Sequence, residues 1–184
     1  MTRQEALKLV EEKIQTKNLI KHCLAVEAVM RALAKYFNED PEKWGLAGLL
    51  HDIDYEETKN APEKHSLIGA AMLEKLGVEP EIIQAIKVHN EVHGLPRETR
   101  MDKALFCTDP ITGLIVAATL VLPSKKIADL SVENVLNRFK EKGFAKGANR
   151  EHIALCSEIG LSLEEFARIS LEAMKAVAQE LGLS

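Results

Sequence analysis

The sequence has few cysteines, few aromatic residues and no excess of positive charge, and each shortage excludes a class of protein. Cys23, Cys107 and Cys156 are widely spaced and form no Cys-x-x-Cys pair, which excludes a disulfide scaffold and a structural zinc finger and predicts buried, reduced thiols. One Trp, two Tyr and five Phe are too few for a base-stacking platform. Because the net charge is −4, no global field attracts nucleic acid, and we expect no nucleic-acid partner.

Long apolar runs are scarce as well. The longest extends from Ile111 to Leu122 and stops at Pro123, so it is too short to span a bilayer and predicts a buried core helix. The first 15 residues are charged throughout, unlike a signal peptide. We therefore expect a cytoplasmic protein with no membrane partner. The length of 184 residues, 46% of them hydrophobic, fits a single domain with one core.

Helical periodicity continues from one end of the chain to the other, and no stretch alternates with period two for long enough to predict a strand. We predict an all-α helical bundle in one domain, residues 1–184, with a motif-bearing core at about 21–116 and C-terminal helices at 131–182 packing on it. Start and stop signals are the Thr2–Glu5 capping box, Asp40 before Pro41, and Gly77. Helices are predicted near 2–14, 19–37, 41–52, 65–76, from Pro80, and 101–122, with a polar loop at 53–64 and later helices capped by Ser131, Asn149 and Ser162, the last reaching Leu181.

The last of these helices carries an apolar stripe with helical spacing. We expect this stripe to lie in the core or in a face between copies of a homo-oligomer, so the oligomeric state is left open. The stripe consists of Phe166, Ile169, Leu171 and Met174.

The histidines carry most of the functional information. Four of the six share an interior stripe with apolar residues of four different helices: His22, His51, His65 and His89. A single histidine on such a stripe is usually a hydrogen-bonded core residue, but four of them would each need separate polar partners in an apolar centre. A shared cation removes that difficulty, because neutral imidazole is the commonest metal ligand. His93 in a predicted turn and His152 in a late helix are expected to be unrelated to this cluster.

Two aspartates extend the cluster. Neighbouring helical residues point about 100° apart, so His51 and Asp52 can face one centre mainly where their helix ends. The sequence places this pair at such an end, before the polar loop. Asp109 precedes Pro110, where we expect the backbone to bend and direct the carboxylate inward.

The order of these residues resembles the HD superfamily of metal-dependent phosphohydrolases over about Lys21 to Val116. The matching segments are LLHDIDYEE, ALFCTDP, EKHSLIGAAML and AIKVHNEVHG, together with the first histidine of the cluster. The resemblance implies a helical HD domain in which one metal is held by four side chains and a second by two further histidines, with Asp52 bridging. The implied ligands are His22, His51, Asp52 and Asp109 for the first metal and His65 and His89 for the second.

The sequence departs from two branches of this superfamily. The doublet continues with Ile53 and Asp54 instead of Ile-Gly, so the strict HDIG form is absent. Asn90 follows His89 and no Gly-Tyr-Pro triplet occurs, unlike in the HD-GYP phosphodiesterases of cyclic dinucleotides. The layout is also similar to HD-type hydrolases of diadenosine polyphosphates. A smaller branch, typified by myo-inositol oxygenase, uses six similar ligands for a di-iron site that activates oxygen, and the ligands alone do not separate that branch from the hydrolases.

We predict a metal-dependent phosphohydrolase that attacks a small phosphate ester or nucleotide with metal-activated water. Asp52 and Asp54 are the candidate catalytic residues, although Asp54 is equally compatible with an exposed loop. Residues 124–150 hold seven basic and three acidic side chains, which hints at an anionic ligand. Lys59, Lys146 and Arg150 are the candidates for contact with substrate phosphate. The ligand types suit Fe, Mn, Co, Ni or Zn, one or two per chain. A di-iron oxygenase and a non-catalytic HD domain that binds metal or nucleotide remain the alternatives.

Overall fold

The computed structural model describes residues 1–184, and none of them lies in a strand. The all-α prediction is confirmed. Short 3₁₀ helices at Glu91–His93, Ile127–Asp129 and Leu155–Ile159 accompany the α-helices. The α-helices are α1 (Arg3–Lys13), α2 (Lys17–Phe37), α3 (Pro41–Leu50), α4 (Tyr55–Thr58), α5 (Leu67–Lys75), α6 (Pro80–His89), α7 (Arg100–Leu120), α8 (Val132–Lys140), α9 (Arg150–Ala154), α10 (Leu163–Ala176) and α11 (Ala178–Leu181).

The predicted capping signals are confirmed. The Thr2 hydroxyl and the Glu5 carboxylate form both bonds of a capping box at α1. At α3 the Asp40 carboxylate accepts from two backbone N–H groups of the first turn, and proline occupies the position where its missing N–H has no cost. Gly77, with φ +71°, adopts the left-handed conformation that ends α5. Ser131, Asn149 and Ser162 all cap their helices through side-chain oxygens.

Three local predictions were wrong, each for a backbone reason. The predicted helix at His65 begins later because Ser66 has φ +71° and ψ −29°, which no α-helix tolerates. The predicted loop at 53–64 contains the single turn α4. The predicted final helix divides at Val177, which leaves helical geometry with φ −115° and ψ 22°. This division turns the chain so that the Leu183 carbonyl accepts from the N–H of Ile127.

One hydrophobic cluster joins the helices into a single domain. Helices α2 and α3 make the most extensive pair, and α7 lies beside α2, α6, α8 and α9. Helix α7 is long and apolar enough to cross a membrane by length and composition, but 61% of its most apolar 18-residue stretch is buried in the bundle. The stripe of α10, residues Phe166, Ile169, Leu171 and Met174, is buried in the core, and the three cysteines are buried and unpaired.

A buried carboxylate fixes the first three helices. Glu27 of α2 is 3% exposed and accepts hydrogen bonds from Arg3 of α1 and from Arg31 on its own helix. Arg31 also donates to Glu42 of α3. Because a buried charge without partners is costly, this network favours one relative position of α1, α2 and α3.

Gly48 sets the distance between α2 and α3. A Cβ at this position would lie 2.9 Å from the backbone nitrogen of Glu27 and 2.9 Å from the carbonyl of Val26. The absence of a side chain therefore allows the two helix backbones to touch, and the Gly48 carbonyl remains free for the His51 ring.

We predict that Gly48→Ala lowers the free energy of unfolding by about 1–3 kcal/mol, because the new methyl group meets rigid backbone. The matched control is Gly113→Ala in α7, where a Cβ would have no neighbour within 4 Å. That substitution should raise stability by about 0.5–1 kcal/mol through helix propensity. Urea midpoints at constant slope measure both effects. Equal midpoints for the two variants would contradict the proposed close contact.

Candidate metal centre

The end of α3 presents two consecutive side chains to one centre, as the sequence predicts. The helix ends at Leu50, and His51 and Asp52 begin a tight turn closed by hydrogen bonds from the N–H of Ile53 to Leu50 and from the N–H of Tyr55 to Asp52. His51 is fully buried and Asp52 is 6% exposed. These two residues form the middle of a cluster to which α2, α6, α7 and the loop before α5 each add one side chain.

The first group of ligand atoms surrounds one point between α2, α3 and α7. The Nε2 atoms of His22 and His51 are 3.2 Å apart. Oδ1 of Asp109 lies 3.0 Å from the His22 nitrogen and 3.9 Å from that of His51. Oδ2 of Asp52 lies 3.7 Å and 3.4 Å from the same two nitrogens. Ligands about 2.1 Å from one ion have this order of separation, so the four atoms fit a single metal.

A second group lies on the other side of Asp52. The Nε2 atoms of His65 and His89 are 3.2 Å apart. They lie 3.3 Å and 3.6 Å from Oδ1 of Asp52. The two oxygens of the carboxylate therefore face different pairs of imidazoles, as a bridging ligand would. The ligand atoms of His51, Asp52 and His89 also lie within 4.8 Å of one another.

Backbone carbonyls fix the tautomers of two histidines. Nδ1 of His51 lies 2.8 Å from the Gly48 carbonyl, and Nδ1 of His89 lies 2.6 Å from the Ile86 carbonyl. A carbonyl oxygen only accepts, so Nδ1 carries the proton in both rings. Each neutral ring then directs the lone pair of Nε2 into the cluster.

Side-chain oxygens have the same effect on the other two histidines. Nδ1 of His65 donates to Oδ1 of Asp54 at 2.8 Å. Nδ1 of His22 lies 3.2 Å from the Thr112 hydroxyl, whose own proton goes to the Asp109 carbonyl at 2.8 Å. The hydroxyl therefore accepts from His22. Such outer partners orient metal-ligating imidazoles and raise their basicity.

The positions of the Nε2 lone pairs show that these residues fit a divalent transition metal. In the neutral state, the Nε2 lone pairs of His22 and His51 face each other at 3.2 Å, as do those of His65 and His89. Neither pair can form a hydrogen bond without an added proton, and both lie beside carboxylates. One cation in each pair satisfies both of its lone pairs, and mixed imidazole and carboxylate ligands suit first-row transition metals.

Electrostatic effects differ between the histidines. Burial lowers the pKa of His51 to about 4, so its ring stays neutral. Burial also opposes protonation of His65, but hydrogen bonds to Asp52 and Asp54 outweigh it and raise the pKa of His65 to about 9. At His22 burial is likewise outweighed by Asp109, and the pKa rises. Burial opposes ionisation of Asp52, yet the imidazoles, His51 foremost, hold its pKa well below the usual range.

Asp54 is placed behind the cluster. It is 1% exposed, and besides His65 it accepts from the backbone N–H groups of Ser66 and Gly69. Asp54 is not an exposed loop charge, and it does not line the cavity described below. From this position the Asp54 carboxylate orients the ring of His65. The left-handed backbone of Ser66 brings that histidine over the carboxylate.

An open cavity of about 420 Å³ gives access to the cluster. It is bordered by five of the six candidate ligands; His51 lies beneath it. The other residues of its lining are Leu19, Tyr55, Asn90, Glu91 and His152. No lysine or arginine borders it, and three predicted phosphate contacts therefore lie elsewhere.

Lys59 and Lys146 are exposed side chains outside the cavity. Arg150 has a structural contact instead of a substrate contact. Its guanidinium donates to six backbone carbonyls at the end of α8 and in the following loop, at 2.6–3.3 Å: those of Arg138, Phe139, Glu141, Phe144, Ala145 and Ala148. The loop between α8 and α9, which carries Lys146, is thus closed around Arg150.

His152 is expected from the sequence to be unrelated to the histidine cluster, whereas the structure places it in the lining of the cavity. Its Nε2 lies 2.9 Å from Oε2 of Glu91. Only the contact of α9 with α7 brings His152 there, and no local motif around it indicates that position. The remaining histidine, His93, is half-buried and donates to the His65 carbonyl at 2.7 Å.

A family model for the HD domain matches residues 19–118, more than half of the chain. This chain belongs to the HD-domain family. The match covers the six candidate ligands, and the resemblance found in the sequence is confirmed. The HD domain places the protein in a family of HD-type hydrolases, and HD domains bind divalent metals. Helices α8 to α11 lie outside the match.

Curated relatives of this HD-domain protein include two bacterial enzymes called ribonuclease Y. That of Lawsonia intracellularis is 31% identical over 139 residues, and that of Nitratidesulfovibrio vulgaris is 33% identical over 141 residues. Each match covers 74% of this chain and 26% of the relative, so the chain spans about a quarter of their length. A tRNA (cytidine(56)-2'-O)-methyltransferase of Thermoplasma volcanium is 26% identical over 156 residues, which are 80% of this chain and 44% of that protein.

We predict that the affinity of the HD domain for Mn²⁺ rises as the pH increases from 6.5 to 9. The metal-free protein holds a proton on His65 up to about pH 9, and a metal must displace it, because imidazole ligates only when neutral. Each displaced proton changes the dissociation constant about tenfold per pH unit below the pKa. Titration calorimetry in buffers of different ionisation enthalpy measures the affinity and the protons released.

The matched control for this pH dependence is His65→Ala, which should release fewer protons and show a flatter profile. An affinity that does not change between pH 6.5 and 8.5 in the unsubstituted protein would contradict the prediction.

Proposed function

We propose that this protein is a metal-dependent phosphohydrolase whose reaction centre lies around Asp52. The observation that carries the proposal is the position of the Asp52 carboxylate, with one oxygen toward His22 and His51 and the other toward His65 and His89. This arrangement suits two ions of Fe, Mn, Co, Ni or Zn. A centre open to a cavity on one side and buried on the other has room for substrate beside the ligands.

When bound, such a metal lowers the pKa of a coordinated water from about 15.7 to about 7 and neutralises charge on phosphoryl oxygens. The side chains supply the conditions for this chemistry. Asp54, Thr112 and two backbone carbonyls hold the four rings in one tautomer. Asp109, which is 38% exposed at its side chain, borders the cavity where water and substrate enter.

We propose a small phosphate ester or nucleotide as the substrate. A cavity of about 420 Å³ is within the usual range for small-molecule sites. Because no lysine or arginine lines it, the charge of one phosphate group would be balanced mainly by metal held at the six-residue cluster. A chain with net charge −4 also lacks the general positive field that holds a long polyanion.

A second candidate is cleavage of RNA phosphodiesters, which the similarity to ribonuclease Y favours. The attack on phosphorus would be the same for both substrates. The difference would lie in the binding of nucleotides beyond the scissile bond, for which the short cavity offers little surface.

We predict that Asp52→Asn reduces phosphoester hydrolysis by about 10³-fold or more, because metal-ion catalysis supplies several kcal/mol of transition-state stabilisation. The assay compares p-nitrophenyl phosphate, bis(p-nitrophenyl) phosphate, nucleoside monophosphates and a short single-stranded RNA, with Mn²⁺-loaded protein. Asp129→Asn is the matched control, since Asp129 is exposed in a 3₁₀ helix outside the cavity.

Hydrolysis of RNA but not of the small esters would favour the second candidate. Equal activity of Asp52→Asn and Asp129→Asn would contradict the assignment of the centre. Oxygen consumption by the iron-loaded protein without phosphoester hydrolysis would identify a di-iron oxygenase instead. Metal binding without either reaction would identify a non-catalytic HD domain.

A further inference from the structure

His152 is held at the cavity from outside the segment that matches the HD domain. Its side chain is 20% exposed and lines the cavity together with the candidate ligands. It lies in the first turn of α9, whose backbone is fixed by the cap of Asn149 on the N–H of His152 itself. Helix α9 packs on α7, the helix that carries Asp109.

The ring of His152 is fixed on two sides. Nε2 is 2.9 Å from Oε2 of Glu91, another residue of the cavity lining. The ring also stacks on Phe106 with centroids 4.3 Å apart and an interplanar angle of 36°. The Arg97 guanidinium lies 3.7 Å from the centre of the same Phe106 ring. Glu91 and Phe106 therefore hold the imidazole in one orientation, which is the usual arrangement of a histidine that transfers protons.

The other ring nitrogen of His152, Nδ1, forms no hydrogen bond within the chain. Among the lining residues that are not candidate ligands, Leu19 is apolar and Glu91 is already paired with His152. Asn90 donates to the carbonyls of Pro62 and His65. Tyr55 is the remaining residue with a proton to donate, and its ring meets the edge of His65. Among these lining residues, His152 has a fixed ring and a nitrogen, Nδ1, that forms no hydrogen bond.

We propose that His152 is a catalytic residue of the phosphohydrolase, donating a proton to the oxygen of the leaving alcohol. The inference rests on the proposed function and deepens it. A water oxygen forms the new bond to phosphorus and loses a proton to solvent, and the bond between phosphorus and the ester oxygen breaks. The electron pair of that bond passes to the ester oxygen, which takes the proton from Nδ1 of the imidazolium. Glu91 compensates the charge of the imidazolium, and solvent returns the proton after the product leaves.

This role implies a leaving group that needs a proton, such as the alkoxide of a sugar or an alcohol. An alkoxide is a poor leaving group unless it is protonated, whereas p-nitrophenolate leaves as a stable anion. A residue that only binds substrate would affect both kinds of ester alike. The dependence on the leaving group therefore separates proton transfer from binding.

The test compares benzyl and p-nitrophenyl esters of phosphate, as monoesters and diesters, with Mn²⁺-loaded protein. His152→Gln keeps a polar atom for Glu91 but cannot supply a proton from Nδ1. We expect kcat for the benzyl ester to fall by about 10²-fold and kcat for the p-nitrophenyl ester by less than about threefold. Glu91→Gln should lower kcat by a smaller factor, and again more for the benzyl ester than for the p-nitrophenyl ester. Glu151→Gln, an exposed neighbour in α9, is the matched control and should change neither rate.

Equal losses on both esters in His152→Gln would overturn the proton-donor role while leaving the proposed function intact. The proton-donor role of His152 would also be overturned if Tyr55→Phe, and not His152→Gln, selectively lowered kcat for the benzyl ester. If the unsubstituted protein hydrolysed neither these esters nor a nucleoside monophosphate nor RNA, the proposed function itself would fail, and this inference with it. Because the p-nitrophenyl ester reports the proposed function and the ratio of the two esters reports His152, the two failures are distinguishable.

Discussion

The structure depends on one electrostatic constraint, the placement of four imidazoles around a single buried carboxylate. Each ring uses Nδ1 to donate to an oxygen of the protein, so each Nε2 lone pair is directed inward. When the rings are neutral, the lone pairs meet in two pairs at 3.2 Å, and each pair needs an added proton or a cation between its nitrogens. Metal cations on either side of Asp52 would take the place of such protons and use every ligand atom.

The helical bundle meets that constraint through close packing near the end of α3. Gly48 allows α2 and α3 to touch, and its carbonyl orients His51. The left-handed backbone of Ser66 brings His65 over Asp54. These positions are fixed by backbone contacts on the buried side of the cluster, while the opposite side opens to the cavity. The same few residues therefore pack the helices together and orient the candidate ligands.

The parts of this arrangement that follow from local sequence were predictable. Helix caps such as Thr2 and Asp40 depend on neighbours within one turn, and the stripes that carry the four histidines follow from helical periodicity. The doublet at His51 could be placed at a helix end for the same reason. Features set by tertiary contact were not predictable: the six carbonyls around Arg150 come from a folded loop, and His152 reaches the cavity only because α9 packs on α7.

The central claim is that Asp52 bridges two metal ions. Anomalous diffraction from crystals of Mn²⁺-loaded protein, collected on both sides of the manganese absorption edge, tests it most directly. We expect two anomalous peaks, one beside each oxygen of the Asp52 carboxylate, with His22, His51 and Asp109 around the first and His65 and His89 around the second. A single peak, with the Nε2 atoms of His65 and His89 hydrogen-bonded to protein groups or water, would contradict it.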